Sequence, residues 1–140
     1  MSFTDLFGSG EHSRNLSHFA ALANIASVHG DIHESEAALL KRFARKLDIA
    51  EKEYTEVLKN PSKFPINPPN SAERRLERMY DLLKMIFADH ELDEEEHQLL
   101  ERYAIGLGYT DEDSKRIIKR SIQIFSGGLD FEDYQYLLDK

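Results

Sequence analysis

Two short turns carry the residues of this chain whose types and spacing suit metal chemistry. Each turn presents alternate acidic or imidazole side chains, and a glutamate follows one helical turn later: His29, Asp31, His33 and Glu36 in the first turn, and Asp89, Glu91, Asp93 and Glu96 in the second. Carboxylates alone suit calcium, magnesium or manganese, whereas imidazoles with carboxylates suit zinc, nickel or iron. If the two turns meet, the sequence indicates a site for a divalent metal ion without choosing the ion.

The same residues also suit a purely structural role. Asp93 and Glu96 have the spacing of a capping box, and carboxylates are electrostatically favourable near a helix amino terminus. Helix capping alone is the simpler interpretation and stands beside the metal hypothesis. An EF-hand is not indicated, because a loop starting at Asp89 would place Glu94 where glycine is needed and Leu100 where the last ligand is needed.

A second set of candidate residues is basic. Two predicted helices each carry four cations on adjacent rows of one face: Lys41, Arg42, Arg45 and Lys46 on the second helix, and Lys115, Arg116, Lys119 and Arg120 on the sixth. A solvated helix face is the simpler interpretation of such a pattern. The functional alternative is the docking of an acidic partner protein, or of this protein's own acidic turns in an oligomer.

Composition excludes several classes of function. The net charge of −8 disfavours nucleic acid as a partner, and the absence of cysteine excludes disulfides and thiolate chemistry. Nothing resembles a serine nucleophile elbow, a phosphate-binding glycine loop or an HExxH motif. We therefore expect a protein that is not an enzyme. No apolar run is long enough for a transmembrane segment and the start lacks signal-peptide features, so a cytoplasmic location is expected.

The elements that position the turns are predicted to be helices. From about residue 13 to Val28, apolar positions cover most of a helix circumference, which is typical of a helix enclosed by others. An apolar stripe predicts a second helix that ends near Asp48, and a third runs from about Glu51 to Asn60, where Pro61 stops it. The first dozen residues read as a loosely docked arm.

The second half repeats this pattern at an offset of 60 positions. Leu22 aligns with Leu82 and Glu36 with Glu96, and the register does not slip. Asn70 with Glu73 has capping spacing before the fourth helix. The sequence thus predicts a single-domain, all-α bundle of about seven helices built from two pseudo-symmetric three-helix repeats. The predicted parts are repeat one at 13–60, a proline-rich connector at 61–69, repeat two at 70–126, and a C-terminal helix at 130–139.

The turns resemble those of the TerB-like family, the helical domain named for tellurite-resistance protein B. The family signature is an alanine-aspartate-glycine turn followed by an acidic residue, an aliphatic residue and a glutamate. The second turn keeps most of it in Ala88, Asp89, Glu91, Leu92 and Glu96, with His90 in the glycine position; the first keeps Gly30, Asp31, Ile32 and Glu36, with His29 in the aspartate position. The resemblance extends over roughly residues 13 to 125.

This resemblance implies a bacterial stress-response module that is not an enzyme, binds a divalent metal at its acidic turns and docks partner proteins. His29 in place of an aspartate weakens a site made only of carboxylates and leaves open a softer metal or none. The alternative is a metal-free adaptor that binds another protein through its basic helix faces. The sequence identifies neither the partner nor the oligomeric state.

Overall fold

The structure is a computed structural model that describes residues 3–28, 30, 32–69, 71–87, 93–125 and 131–138. Every regular element in these ranges is helical, which confirms the all-α prediction. The α-helices are α1 Phe3–Ala26, α2 Glu34–Lys46, α3 Glu51–Lys59, α4 Ala72–Ile86, α5 Glu94–Leu107, α6 Asp111–Phe125 and α7 Phe131–Leu138. None of these helices combines the length and the apolar character needed to cross a membrane.

The chain separates into two compact units, Met1–Asn67 and Pro68–Lys140. The boundary lies inside the predicted proline-rich connector, which begins with a 3-10 turn at Pro61–Lys63. α3 ends at Lys59, as expected from the proline that follows Asn60. Each unit contains helices that pack on one another.

The N-terminal unit is built around α1, which packs against α2, α3 and the 3-10 turn. Phe19 and Leu22 of α1 are fully shielded from solvent, as are Leu40 of α2 and Val57 of α3. The Phe19 ring lies 5.4 Å from the ring of Tyr54 on α3, a separation at which aromatic rings attract each other. The prediction that the first helix is enclosed by the others is therefore confirmed.

The helix predicted to begin near residue 13 begins at Phe3 instead, so its predicted start is wrong by about ten positions. Whether the first dozen residues are loosely docked stays a prediction. Glycine inside a helix costs only about 1 kcal/mol relative to alanine. Two glycines in this stretch, Gly8 and Gly10, weaken the sequence signal for a helix without preventing one.

The C-terminal unit packs α4 against α5, α6 and α7. An aromatic cluster holds α7 in place: the Tyr80 ring lies 5.3 Å from Phe125 and 5.5 Å from both Phe131 and Tyr134. Tyr134 is completely buried, and its hydroxyl hydrogen-bonds the hydroxyl of Ser121 at 2.6 Å. Burial raises the pKa of Tyr134, more than the hydrogen bond to Ser121 lowers it.

The residue that caps α4 differs from the predicted one. Ser71 is the cap residue: its backbone is extended, and its hydroxyl accepts a hydrogen bond from the Arg74 backbone N–H at 3.1 Å. The predicted cap, Asn70, lies outside the described residues and is one position too early for a helix that begins at Ala72. A serine hydroxyl caps as well as an asparagine, so residue type alone could not choose between these neighbours.

Helix ends fall at matching positions in the two units. α1 and α4 end 60 residues apart, α2 and α5 begin 60 residues apart, and so do α3 and α6. The turns between the first and second helix of each unit therefore have the same length. The pseudo-symmetric arrangement of two repeats stays a prediction.

Candidate functional site

The predicted metal ligands fall into two groups. His29, Asp31, Asp89 and Glu91 lie outside the described residues. The remaining four lie at the amino termini of α2 and α5: His33, Glu36, Asp93 and Glu96. The structure therefore describes only the end of each turn, where the chain enters α2 or α5.

At both helix starts a buried glutamate binds the backbone of the cap residue. The N–H of His33 donates to Glu36 Oε1 at 3.2 Å, and the N–H of Asp93 donates to Glu96 Oε1 at the same distance. In α5 the box is complete, because the Glu96 N–H also donates to Asp93 Oδ1 at 2.9 Å. Glu36 is 2% exposed and Glu96 is 0% exposed.

These contacts show that Asp93 and Glu96 cap α5, as their spacing predicts, and that Glu36 binds the cap residue of α2 in the same way. Carboxylates in the first turn bind free N–H groups and interact favourably with the helix dipole. Within the described parts of the chain, no group of three or more histidine, aspartate or glutamate side chains could hold a metal ion. The metal prediction depends on turn residues outside those parts and stays a prediction.

The basic face of α2 is open to solvent. Lys41, Arg42, Arg45 and Lys46 are all exposed, on the side opposite the buried residues of the helix. Lys41, Arg42 and Arg45 make no ion pair with any residue that the structure describes. Three cations on one helix face thus keep their full charge available for a partner.

The basic face of α6 is exposed as well, but its own helix neutralises part of it. Lys115 Nζ lies 3.2 Å from Asp111 Oδ2, and Arg116 Nη2 lies 3.4 Å from Asp113 Oδ1. Lys119 and Arg120 are the remaining predicted residues of this face. Because aspartates precede these cations by three or four positions, the α6 face carries less net positive charge than the α2 face.

The contact between Arg75 and Tyr109 was not predicted from the sequence. The Arg75 guanidinium carbon lies 5.2 Å from the centre of the Tyr109 ring, in the range of a cation–π interaction. Burial raises the pKa of the Tyr109 hydroxyl, and the charges of Arg75 and Arg116 act in the opposite direction. No sequence motif marks this pair, since its members lie on α4 and in the loop after α5.

The sequence analysis also missed the pair His12 and Glu53, whose Nε2 and Oε2 atoms are 2.5 Å apart. Burial raises the pKa of Glu53, but the hydrogen bond from His12 and the Ala50 N–H, at 3.0 Å from Glu53 Oε1, outweigh it and leave the pKa below its ordinary value. The sequence gives a signal only for the Ala50 contact, because Glu53 is the third residue of α3, the position from which a glutamate binds the N–H of the cap residue.

Comparison with models of known protein families, with curated proteins and with solved structures finds no match for this chain. The TerB-like resemblance therefore rests on the turn motifs alone.

Proposed function

We propose that the chain is a docking module without enzymatic activity that binds an acidic segment of another protein through the basic face of α2. The observation that carries this proposal is the exposure of Lys41, Arg42 and Arg45 without an ion-pair partner among the described residues. Unpaired cations on one rigid helix face attract an acidic segment over a distance of about one Debye length, roughly 8–10 Å at physiological salt.

The matching helix of the other unit supports a specific role for this face. At an offset of 60, the positions of Lys41 and Arg45 on α2 are taken on α5 by Glu101 and Ile105. A helix needs polar side chains on its outer face for solubility, but it does not need four cations there. The basic character of α2 is therefore not a requirement of the fold.

An acidic protein segment fits better than nucleic acid. The net charge of −8 repels a long polyanion, whereas a short acidic segment can approach one basic face locally. Membership in the TerB-like family and a role in stress response remain part of the proposal and rest on the resemblance of the turns. A cytoplasmic location is also part of it and rests on the sequence alone.

The test measures binding of a short, fluorescently labelled glutamate-rich peptide by anisotropy. The α2 variant carries Lys41→Gln, Arg42→Gln and Arg45→Gln, and we expect it to weaken binding at least about tenfold, since loss of three partly screened charge contacts adds up to that order. Binding to the unaltered chain should also weaken as salt is raised.

A matched α6 variant controls for overall charge. It carries Lys115→Gln, Lys119→Gln and Arg120→Gln, so the net charge changes by the same amount as in the α2 variant. We expect about a twofold effect or less, because these residues lie outside the proposed docking face. Equal weakening by both variants would show that the peptide responds to net charge alone, and the proposal would be wrong.

The second candidate is a divalent-metal site at the paired turns, as the family resemblance implies. One observation favours treating the turns as a matched pair: they have equal length, and each ends on a buried glutamate that binds the cap residue at 3.2 Å. The ligands would be carboxylates and imidazoles of the turns, with the ion undetermined. This candidate is independent of the α2 face.

Thermal unfolding of chelator-treated protein tests the metal site, with calcium, magnesium, manganese, zinc and nickel added separately. An ion at 100 times its dissociation constant should add about 2.7 kcal/mol to the free energy of unfolding. The variant Asp31→Asn with Asp89→Asn should abolish this gain. If no ion stabilises the protein, the turn carboxylates act as helix caps alone.

A further inference from the structure

The C-terminal unit contains an arginine that is fixed in position before any ligand arrives. Arg75 projects from α4, and its guanidinium group lies over the Tyr109 ring at 5.2 Å. Gly108 lies beside the same group: a Cβ atom built there would be 3.5 Å from Arg75 Cζ and 3.6 Å from its Nε. The ring and the glycine backbone together restrict the planar group, so little side-chain entropy remains to be lost on binding.

The donors of this arginine are not used within the described protein. Arg75 makes no hydrogen bond or ion pair with any residue that the structure describes. Its Nε is shielded from solvent without a partner, while the two terminal nitrogens are not shielded in this way. A shielded donor without an acceptor is unfavourable and calls for an explanation. The terminal nitrogens are the donors open to a ligand, whereas the shielded Nε stays without an acceptor.

A second arginine adds positive charge at the same place. The charges of Arg75 and Arg116 both lower the pKa of Tyr109 against the effect of its burial, so both lie close enough to act on that hydroxyl. Asp113 opposes them and lies 3.4 Å from Arg116. Arg116 is thus paired with Asp113, whereas Arg75 has no ion-pair partner among the described residues.

We propose that Arg75, held by Tyr109, binds one anionic oxygen group, a carboxylate or a phosphate, carried by a peptide segment of a partner protein. The planar guanidinium fork matches both groups in a bidentate arrangement. The site lies in the C-terminal unit and does not depend on the basic face of α2. The simpler role for Arg75 is to place a cation near the carboxyl end of α5, where the helix dipole favours it.

The first test observes the site directly by NMR, through the Nε–H resonance of Arg75 in the intact chain. Three short peptides of equal length are titrated in: one with glutamate, one with phosphoserine and one with glutamine at the same positions. We expect the Arg75 resonance to shift with the glutamate or the phosphoserine peptide and not with the glutamine peptide. The tighter of the two anionic peptides identifies the preferred group. An unchanged Arg75 resonance with both would overturn the proposal.

Two substitutions test whether the fork is needed. Arg75→Gln should weaken binding of the preferred peptide about tenfold, and Arg75→Lys, which keeps the charge, should still weaken it several-fold because the bidentate geometry is lost. Arg74→Gln is the matched control, since Arg74 is the adjacent, exposed arginine, and it should change affinity about twofold or less.

Circular dichroism of each variant separates loss of binding from loss of folding, and Arg75→Lys keeps the test decisive if Arg75→Gln does not fold. Full binding by a folded Arg75→Lys variant would assign Arg75 to charge alone and contradict a bidentate site. Equal losses in the Arg74 and Arg75 variants would likewise contradict it. Because these variants leave α2 unaltered, failure here is distinct from failure of the docking function proposed for that helix.

Discussion

The ends of α2 and α5 have the same backbone and different chemistry. After α2 the chain turns at Asp48 with a φ of 58°, and the Ile49 N–H donates to the Ala44 carbonyl at 2.8 Å. After α5 it turns at Gly108 with a φ of 115°, and the Tyr109 N–H donates to the Ala104 carbonyl at 3.1 Å. Both left-handed residues close the helix with a bond that spans the same number of residues.

The side chain that approaches this corner differs between the units. In the N-terminal unit, Asn15 Nδ2 donates to the Leu47 carbonyl at 3.3 Å and so binds the end of α2. At the equivalent position of the C-terminal unit stands Arg75, which lies over Tyr109 and forms no hydrogen bond with a described residue. The end of α2 is thus bonded by a side chain of its own unit, whereas Arg75, beside the end of α5, keeps donors that no described residue accepts.

Matching helices of the two units can therefore share their buried residues and still carry different charges on their surfaces. The outer faces of α2 and α5 differ, since Lys41 and Arg45 correspond to Glu101 and Ile105. The buried residues match instead: Leu39, Leu40 and Ala44 correspond to Leu99, Leu100 and Ala104. The buried residues determine the fold in both units. Function is therefore expected where equivalent surface positions diverge.

The largest expected effect tests the shared frame. Leu40 and Leu100 occupy equivalent positions and are both fully buried. Replacement of either by alanine should lower the free energy of unfolding by about 2–5 kcal/mol, because each leaves a cavity in a packed core. Urea denaturation of the two variants measures this. A loss below about 1 kcal/mol in only one of them would show that the two cores are not equivalent.

The next effect distinguishes the two corners by their left-handed residue. Gly108→Ala should destabilise the protein by about 1–2 kcal/mol, since a Cβ is unfavourable at a positive φ. Asp48→Gly should change stability by about 0.5 kcal/mol or less, because the relief of strain and the added entropy of the unfolded chain nearly cancel. Thermal unfolding of both variants checks the difference, and a reversed order would contradict the assigned backbone.

A smaller effect tests whether the corner side chains have different roles. Asn15→Ala should cost about 1 kcal/mol through loss of its hydrogen bond to the Leu47 carbonyl. Arg75→Gln should cost about 0.5 kcal/mol or less, because it removes an exposed cation–π contact together with an unpaired shielded donor. Chemical denaturation compares the two. An equal or larger cost for Arg75→Gln would assign that arginine to stability.

The smallest effect concerns pH and only the N-terminal unit. The pKa of Glu53 in the folded protein lies below its ordinary value of 4.5, so ionised Glu53 favours folding. This contribution is present above the unfolded-state pKa and is lost as pH falls through the lower, folded-state pKa. His12→Ala should reduce the acid-dependent loss of stability by removing one cause of the lowered pKa.

Unfolding measured between neutral pH and the acid range, with and without His12→Ala, checks this prediction. The equivalent of His12 in the C-terminal unit is Ala72, so no matching contact exists there. An unchanged pH dependence in the His12 variant would show that the Ala50 N–H alone holds the pKa of Glu53 down.

The sequence predicted the elements whose signals are local. Apolar periodicity located the second and third helices of each unit, and the spacing of Asp93 with Glu96 identified a real cap, with the Glu96 N–H bonded to Asp93 Oδ1 at 2.9 Å. These features depend on residues three or four apart. Such distances are readable from a single sequence.

Features that depend on distant residues were not predictable. His12 and Glu53 are separated by 41 positions, and Arg75 and Tyr109 belong to different elements, so no periodic pattern links them. The same holds for the basic face of α2. Its exposure could be predicted from the helical periodicity, but the lack of ion-pair partners for its cations could be seen only in the structure.

The most direct test of the central claim is an NMR titration of the intact, isotopically labelled chain with the glutamate-rich peptide, followed at every backbone amide. We expect shifts at the exposed positions of α2, including Lys41 and Arg45, and none at Glu101, which takes the position of Lys41 on the outer face of α5. Equal shifts on both helices, or shifts confined to α5, would contradict the claim that the basic face of α2 is the docking surface.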